Sequence, residues 1–459
     1  MFEITCAMRV LIICHSYAPQ NDPRALRWTA LSEEWIKSGF EVHVLTAKPV
    51  GQATHEMRNG VSVHRVGWRA FNVLKQWATE PSAPQELEKR SHAALLAGTR
   101  TREYSLATVL RKTLREIYDL TWKQLFWPDA TCLWILPAAR YARRLSSEHK
   151  FDVLVSVSHP FSGHVVGLLV RRGRPRLAWL ADSGDPFAFS KESAPNNFRL
   201  WERMNFWIEK KVINAAAAFS VTTEETAKLY RHYFPENANK MIVIPPLLQS
   251  SLQDAISTTG SIPKHDDIVM LFVGMFYKTV RRPEPLLELF EAILSNLQNV
   301  NEALKLQIIG PVDIVAEALQ KMPSLNDKVI LLGKMPHDKA VKAMLSADCL
   351  VNVGNSTHYQ LPSKIIEYMA TGKPILNISS ISNDSSSQVL KNYPLSYLWG
   401  HNNENDLDDL CRFLKSCRGR TLSVEHRVAL VAPFSVANVS AQYLTALSGG
   451  IRQAVFMRG

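Results

Sequence analysis

The sequence has few cysteines and no cysteine motif. Its six, Cys6, Cys14, Cys132, Cys349, Cys411 and Cys417, form no CxxC and no Cys/His cluster at zinc-ligand spacing, so zinc ribbons are excluded and a reducing cytosol fits. No apolar run reaches the ~20 residues a bilayer-spanning helix requires, so no transmembrane segment is expected. The opening "MFEITCAMRVLIIC" lacks a basic stretch and a small-residue cleavage site, so a signal peptide is not expected either. HExxH and GxSxG are missing, and no glycine-rich GxGxxG loop follows any strand-like run. The DxD at Asp406–Asp408 in "NNENDLDDL" reads as a helix cap, and no metal site is expected. Nucleic-acid binding is suggested by charge alone, with no known module behind it, and is not expected.

The chain is 459 residues long, 46% hydrophobic and 21% charged, which describes an ordinary globular protein of two or three domains. Residues 1–245 carry 33 Lys+Arg against 23 Asp+Glu, a net of +10, whereas the remainder nets +1. A basic half joined to a neutral half points to an anionic partner on one side, such as a membrane surface or a phosphorylated lipid.

Short apolar runs alternate with amphipathic segments, the pattern of parallel sheets covered by helices on both faces. Strands are expected at 9–14, 41–47, 61–66, 152–158, 176–182 and 217–223, then at 268–274, 305–310, 328–333, 349–354 and 374–379. This predicts an α/β protein with two Rossmann-like doubly wound domains: 1–245, a Ser/Pro-rich linker over 246–267, and 268–430, with a final helix in 431–459. Residues 69–150 break the alternation, being helical and basic. There Leu110, Leu114, Ile117 and Leu125 form a stripe with Arg111, Lys112, Arg115 and Lys123 off it, and Trp122, Phe126, Trp127 and Trp134 add aromatic bulk. The segment reads either as a helix packed on the first sheet or as an interfacial helix touching anionic lipid.

Open parallel sheets bind ligands beyond the carboxyl ends of their strands, so the residues following each strand are the candidates. After the first strand, Asp22 is placed to cap a helix opening at Pro23, and His15, Tyr17 and Arg24 are expected on the acceptor side of a cleft. "SHPFSGH" and "DSGDPF" put His159, His164, Asp182 and Asp185 at strand ends as acid/base candidates. In the second half, "FVGMFYKTVRRPEPLLELF" sets Gly274, Lys278, Arg281 and Arg282 ahead of a helix, a seat for a diphosphate. Gly333 and Lys334 close a neighbouring strand. "YQLPSKIIE" repeats the arrangement with Tyr359, Leu361, Pro362, Ser363 and Lys364, and Glu367 could accept two hydrogen bonds from a ribose diol. An i,i+3 ion pair between Lys364 and Glu367 is the alternative reading.

On the stretches "MRVLIICHSYAPQNDPRALRW", "WLADSGDPFAF", "VTTEETAKLY", "IPPLL", "FVGMFYKTVRRPEPLLELF" and "QLPSKIIEYMATGKPIL", the chain resembles GT-B glycosyltransferases of the family-4-like group that builds bacterial polysaccharides and lipid-linked glycans. The resemblance implies sugar transfer from a nucleotide-diphosphate donor, UDP- or GDP-linked, to a glycan or lipid-linked acceptor, without metal or other cofactor. It implies a cytoplasmic protein, peripheral on the inner face of the plasma membrane. The family sets an arginine where Met275 stands, with Arg281 the foremost replacement. Its second motif glutamate matches Glu367, while its first falls on Tyr359. The alternatives are an epimerase or hydrolase of the same fold, which would need carboxylates around the donor sugar, and a non-enzymatic two-lobed binding protein, which would need an export signal.

Overall fold

The computed structural model describes residues 8–67, 122–191, 194–249, 252, 267–297, 304–382, 384–400 and 406–456. Most of the basic stretch that sequence reading makes helical, including Leu110, Leu114 and Ile117, lies outside them.

The first sheet contains β1 (Arg9–Ile13), β2 (Glu41–Ala47), β3 (His55–Arg58), β4 (Val61–Val66), β5 (Val153–Ser158), β6 (Ala178–Ser183), β7 (Ala218–Val221) and β8 (Met241–Val243). Their spatial order is β3-β4-β2-β1-β5-β6-β7-β8. All neighbours pair in parallel except β3, which runs antiparallel to β4. The second sheet contains β9 (Ile268–Val273), β10 (Leu304–Ile309), β11 (Val329–Gly333), β12 (Cys349–Val353), β13 (Ile375–Ile378) and β14 (Ser396–Trp399), in the order β11-β10-β9-β12-β13-β14. β5 and β9 are buried along their whole length, as apolar strands covered on both faces must be. Three strands, β3, β8 and β14, are additions to the expected set. β3 is a polar edge strand, joined to β4 by Asn59 and Gly60 at positive φ, the conformation of a tight hairpin turn.

The helices that position functional groups are α1 (Pro23–Lys37), α2 (Ile135–His149), α3 (Ser162–Gly173), α4 (Phe198–Ala215), α5 (Glu224–Tyr233), α6 (Glu284–Leu297), α7 (His337–Ser346), α8 (Lys364–Thr371), α9 (Leu407–Ser416), α10 (Val424–Val431) and α11 (Val436–Phe456). Asp22 caps α1, accepting from the amides of Arg24 and Ala25, and Asp406 caps α9 in the same way. The Asp406–Asp408 pair is therefore a helix start.

Residues Val424–Ser448 are long and apolar enough to cross a membrane by length and composition, contrary to the expectation of no such run. The chain folds them otherwise. The turn Ala432–Phe434, which contains Pro433, splits the stretch into α10, packed on α8, and α11, packed on α1 and β6. Tyr443 of α11 is fully buried against Trp28 and Trp35 of α1, with ring centroids 5.2 and 6.4 Å away. Emptying either tryptophan site would cost about 3–5 kcal/mol. Leu248 and Leu252, both within the 246–267 stretch expected as linker, are buried in the second domain's core.

Candidate active site

Each sheet reverses its winding direction once, between β1 and β5 in the first and between β9 and β12 in the second. The crevice beyond the carboxyl ends at such a reversal is where open α/β sheets take ligands.

At the second reversal the chain runs from β9 into Gly274 and the loop before α6. Gly310, after β10, has φ 147°, and a Cβ there would lie 1.8 Å from the Gly274 carbonyl oxygen. The two loops therefore pack backbone to backbone, which only glycine permits. Arg281 turns back over this floor. Its Nε and Nη2 donate to Asn355 Oδ1 at 3.1 and 2.7 Å, holding the guanidinium half-buried beside Gly274. No carboxylate pairs with it among the described residues. Lys278 and Arg282 are placed differently: both are exposed, Lys278 3.9 Å from Glu317 and Arg282 bonded to Glu284. Lys334 is exposed after Gly333. Of the expected cations in these two loops, Arg281 alone is held at the reversal.

α8 starts immediately after the exposed Ser363, whose side chain makes no capping bond, while the Ile365 amide turns back to the Pro362 carbonyl at 3.1 Å. Pro362 is buried and Leu361 half-buried beneath that turn. Glu367 is buried. Lys364 Nζ lies 2.7 and 2.6 Å from its two oxygens, and His337 Nε2, at the start of α7, is 3.1 Å from Oε2. The i,i+3 ion pair is thus present. Burial works to raise the Glu367 carboxyl pKa, but His337 and Lys364 outweigh it and hold the group below the usual range. A charged carboxylate retains lone pairs for hydroxyl donors beyond the bonds it already accepts.

In the first domain the four acid/base candidates separate. His164 is enclosed under the sheet on α3, with Nδ1 2.7 Å from Ser156 Oγ, and burial pushes its pKa to about 3. It is a core histidine. Asp182 is also enclosed. Its Oδ1 accepts from Tyr443 at 2.6 Å and Ser220 at 2.8 Å, and its Oδ2 accepts from Arg24 and Trp28, both at 3.2 Å. Burial pushes its pKa up, yet Arg24, Arg27 and the two hydroxyls more than offset this and keep it below the ordinary carboxylate value. Such a group fastens α1 and α11 to the sheet. The expectation of a proton-transfer role at His164 and Asp182 is corrected, because neither reaches solvent. Asp185 is exposed, and Gln360 Nε2 of the second domain donates to its Oδ1 at 3.2 Å. His159 is half-buried at the end of β5; burial lowers its pKa, with Asp185 opposing. These two are the first-domain groups that remain at the cleft.

On the acceptor side, His15 is half-buried with its ring edge-on to Trp134, 5.3 Å between centroids. Tyr17 does not face the cleft: it is buried, with its hydroxyl 2.7 Å from Ser32 Oγ. Arg24 is half-buried and committed to Asp182. The room for it comes from Gly184, where a Cβ would fall 1.1 Å from Arg24 Nη2. Tyr359 reaches across the domains, its hydroxyl 3.2 Å from Ser190 Oγ and its carbonyl accepting from Thr223 and Thr226, each at 2.8 Å.

Sequence reading missed Asn355, His337, Asp129 and Asp384. Asn355 and His337 follow strands β12 and β11, so the strand-end rule could have found them. Asp129 accepts from the Ser162 amide and hydroxyl at 2.8 Å each and so fills the start of α3. Asp384 caps Ser385–Leu390 and bonds Asn377.

Two parallel-sheet domains that present their strand ends to one cleft define the GT-B architecture, and solved structures agree. Trehalose 6-phosphate synthase from Burkholderia multivorans matches with a TM-score of 0.61 at 11% identity, over 99% of this chain and 98% of that one. Starch synthase IV from Arabidopsis thaliana, bound to ADP and acarbose, matches at 0.56 and 11%, over 97% and 99%. A TarM variant from S. aureus, bound to UDP among other ligands, matches at 0.56 and 12%, over 96% and 99%. No curated protein matches the chain in sequence. The model of Glycosyltransferase Family 4 matches residues 85–248 and that of Glycosyl transferases group 1 matches residues 267–387, together more than half of the chain. The chain belongs to the family-4-like GT-B glycosyltransferases and is an enzyme of that class.

Proposed function

We propose that the cleft takes a nucleotide-diphosphate sugar on the second domain and transfers the sugar to an acceptor on the first, in the assembly of a cell-surface polysaccharide. The carrying observation is Arg281, a guanidinium held by Asn355 at the second sheet's reversal with no carboxylate partner among the described residues. A diphosphate supplies the missing anion. The start of α8, which has no side-chain cap at Ser363, adds the positive end of a helix, and Lys364 can turn from Glu367 toward the phosphates. Glu367 then accepts from the ribose hydroxyls while His337 retains its contact. As the sugar bond breaks, charge develops on the leaving diphosphate, where fixed cations and amides stabilise it most. Asp185 and His159 are the proton acceptors at hand for the incoming hydroxyl, and His15 lies on the same acceptor side. None of these roles calls for a metal.

The acceptor is lipid-linked or otherwise anionic, and the enzyme works at the cytoplasmic face of the membrane. This reading is supported by α4, where Leu200, Met204 and Trp207 are exposed at i, i+4 and i+7 beside the exposed Arg203, Lys210 and Lys211.

Calorimetry with a panel of nucleoside diphosphates tests the donor site. One of them should bind, and Arg281→Met should weaken it by roughly tenfold to a hundredfold, the equivalent of losing a charged hydrogen bond at about 1.5–3 kcal/mol. Glu367→Ala should weaken the same nucleotide in a protein that still unfolds cooperatively, with a melting temperature lowered by the loss of its buried pair with Lys364. Failure of every nucleotide to bind, or equal binding by the Arg281 variant, would sink the reading.

A further inference from the structure

At the opposite end of the first sheet from the cleft, imidazoles gather around one carboxylate. Glu41 opens β2 and His43 follows two residues later, so strand alternation puts both on one face. His149 ends α2 and comes down onto the same spot. His43 Nε2 is 3.0 Å from Glu41 Oε1, His149 Nδ1 is 3.5 Å from the same oxygen, and the three donor atoms lie within 4.8 Å of one another. Four-coordinate zinc, with bonds of about 2.0–2.1 Å, needs its ligand atoms about 3.3 Å apart. Small side-chain adjustments bring all three to that spacing.

The surroundings have the form of a ligand-orienting shell. His43 Nδ1 lies 3.1 Å from His64 Nε2, and His64 Nδ1 lies 3.2 Å from the Tyr141 hydroxyl. A proton on His43 Nδ1, donated to His64, leaves the Nε2 lone pair facing Glu41, which is the tautomer a metal requires. In that tautomer two lone-pair-bearing atoms face each other at 3.0 Å, and a cation between them removes the repulsion. Arg9 Nε is 3.3 Å from the other carboxylate oxygen, Oε2, so Oε1 is left for a ligand. His43 is buried, whereas Glu41 and His149 are partly exposed, which gives water access to a fourth position.

We propose that Glu41, His43 and His149 form a binding site for one divalent transition-metal ion of the zinc class, completed by water, with His64 and Tyr141 as positioning residues for His43. The ion clips the end of α2 to the start of β2. Because this is the amino end of the strand, away from the cleft, the site is structural and independent of the donor reading.

The test is titration of EDTA-dialysed full-length protein with zinc chloride at pH 7.5, read by calorimetry and thermal melting, then repeated with cobalt chloride and read by visible absorption. The proposal expects one zinc per chain, a melting temperature raised by roughly 3 °C or more, and the intense visible bands of four-coordinate cobalt. His149→Ala, at an exposed helix end, and Glu41→Gln should each weaken binding at least about tenfold and abolish the bands. His232→Ala, an exposed histidine elsewhere, should change nothing. Absence of stoichiometric zinc binding, or binding unaltered by both site variants, overturns the proposal.

Discussion

Replacing Asp182 by asparagine separates two readings of one residue. The carboxylate ties together α1 through Arg24 and Trp28, β7 through Ser220 and α11 through Tyr443. Asparagine keeps the shape but removes the charge, and its amide group must turn a donor toward either the Arg24–Trp28 pair or the two hydroxyls. Breaking a buried ion pair by losing one partner costs about 3–5 kcal/mol. Arg24 keeps 19% of its side-chain surface in contact with solvent and so recovers some hydration, which favours the lower end, about 3 kcal/mol. For a domain of this size that lowers the melting temperature by roughly 6–12 °C. Tyr443→Phe removes one charged hydrogen bond and should cost about 1.5–3 kcal/mol. The two effects should be non-additive because the groups touch. The pH dependence has a definite sign: the folded pKa is depressed, so the contribution is present above about pH 4, the unfolded value, and is lost as pH falls through the folded value. Urea titrations followed by tryptophan fluorescence, alongside turnover of the donor, decide the matter. A variant that keeps wild-type stability yet loses turnover would refute the anchor and restore Asp182 as a proton-transfer group.

Glu209 on α4 is wholly buried between the Ala188 amide and the Tyr230 hydroxyl, and burial raises its pKa to about 7. A raised carboxyl stabilises the fold in its protonated form, fully below the unfolded value and progressively less as pH rises toward 7. Wild type should therefore lose stability relative to Glu209→Gln across that window, by about 3 kcal/mol at most; parallel pH profiles of the two would contradict this. For the membrane-facing surface, the protein should sediment with anionic vesicles at low salt and much less at high salt. Trp207→Ser combined with Lys210→Glu should reduce the bound fraction severalfold, and retention of full binding by that variant would remove α4 from the contact.

The strands were legible where they are apolar and covered on both faces, as in β5, β9 and β12, because nothing else in a chain this polar reads as such short apolar blocks. β3 was not, since an edge strand reading "HEMR" has one wet face and no apolar run; only its Asn-Gly turn marks it. The donor-side loops were legible through their position at strand ends. The orientation of each side chain was not. Asp182 and Asp185 stand three residues apart in the sequence, and β6 directs the first into a cluster of donors from distant segments while the second emerges at the cleft. Tyr443 lies 261 residues from Asp182 in sequence, and no local spacing reports a bond of that kind. His164 and Tyr17 failed for the same reason, because a loop or first helical turn beside a strand end can still face inward. Cations in a loop are similarly ambiguous: Arg281 is selected over Lys278 and Arg282 by Asn355, a neutral residue in another loop.

Tyr359 shows how the two lobes share one wall of the cleft. A carboxylate at this place would be buried beside Ser190, and burial makes a charge expensive. A phenol spans the gap instead, with a neutral hydroxyl on Ser190, while its carbonyl holds Thr223 and Thr226 at the start of α5. The next residue continues the bridge: Gln360 donates from its side chain to Asp185 and accepts at its carbonyl from Ser385. Asn355, five residues earlier, orients Arg281. The segment from Asn355 to Gln360 therefore joins the guanidinium at the second sheet's reversal to the exposed carboxylate at the first. Any relative movement of the domains must shift or break these contacts, of which the neutral ones at Tyr359 are worth about 0.5–1.5 kcal/mol each and the Gln360 bond to the Asp185 carboxylate about 1.5–3 kcal/mol. Position 359 thus contributes a neutral bridge between the lobes, and Asp185 is the exposed carboxylate that lies beside it.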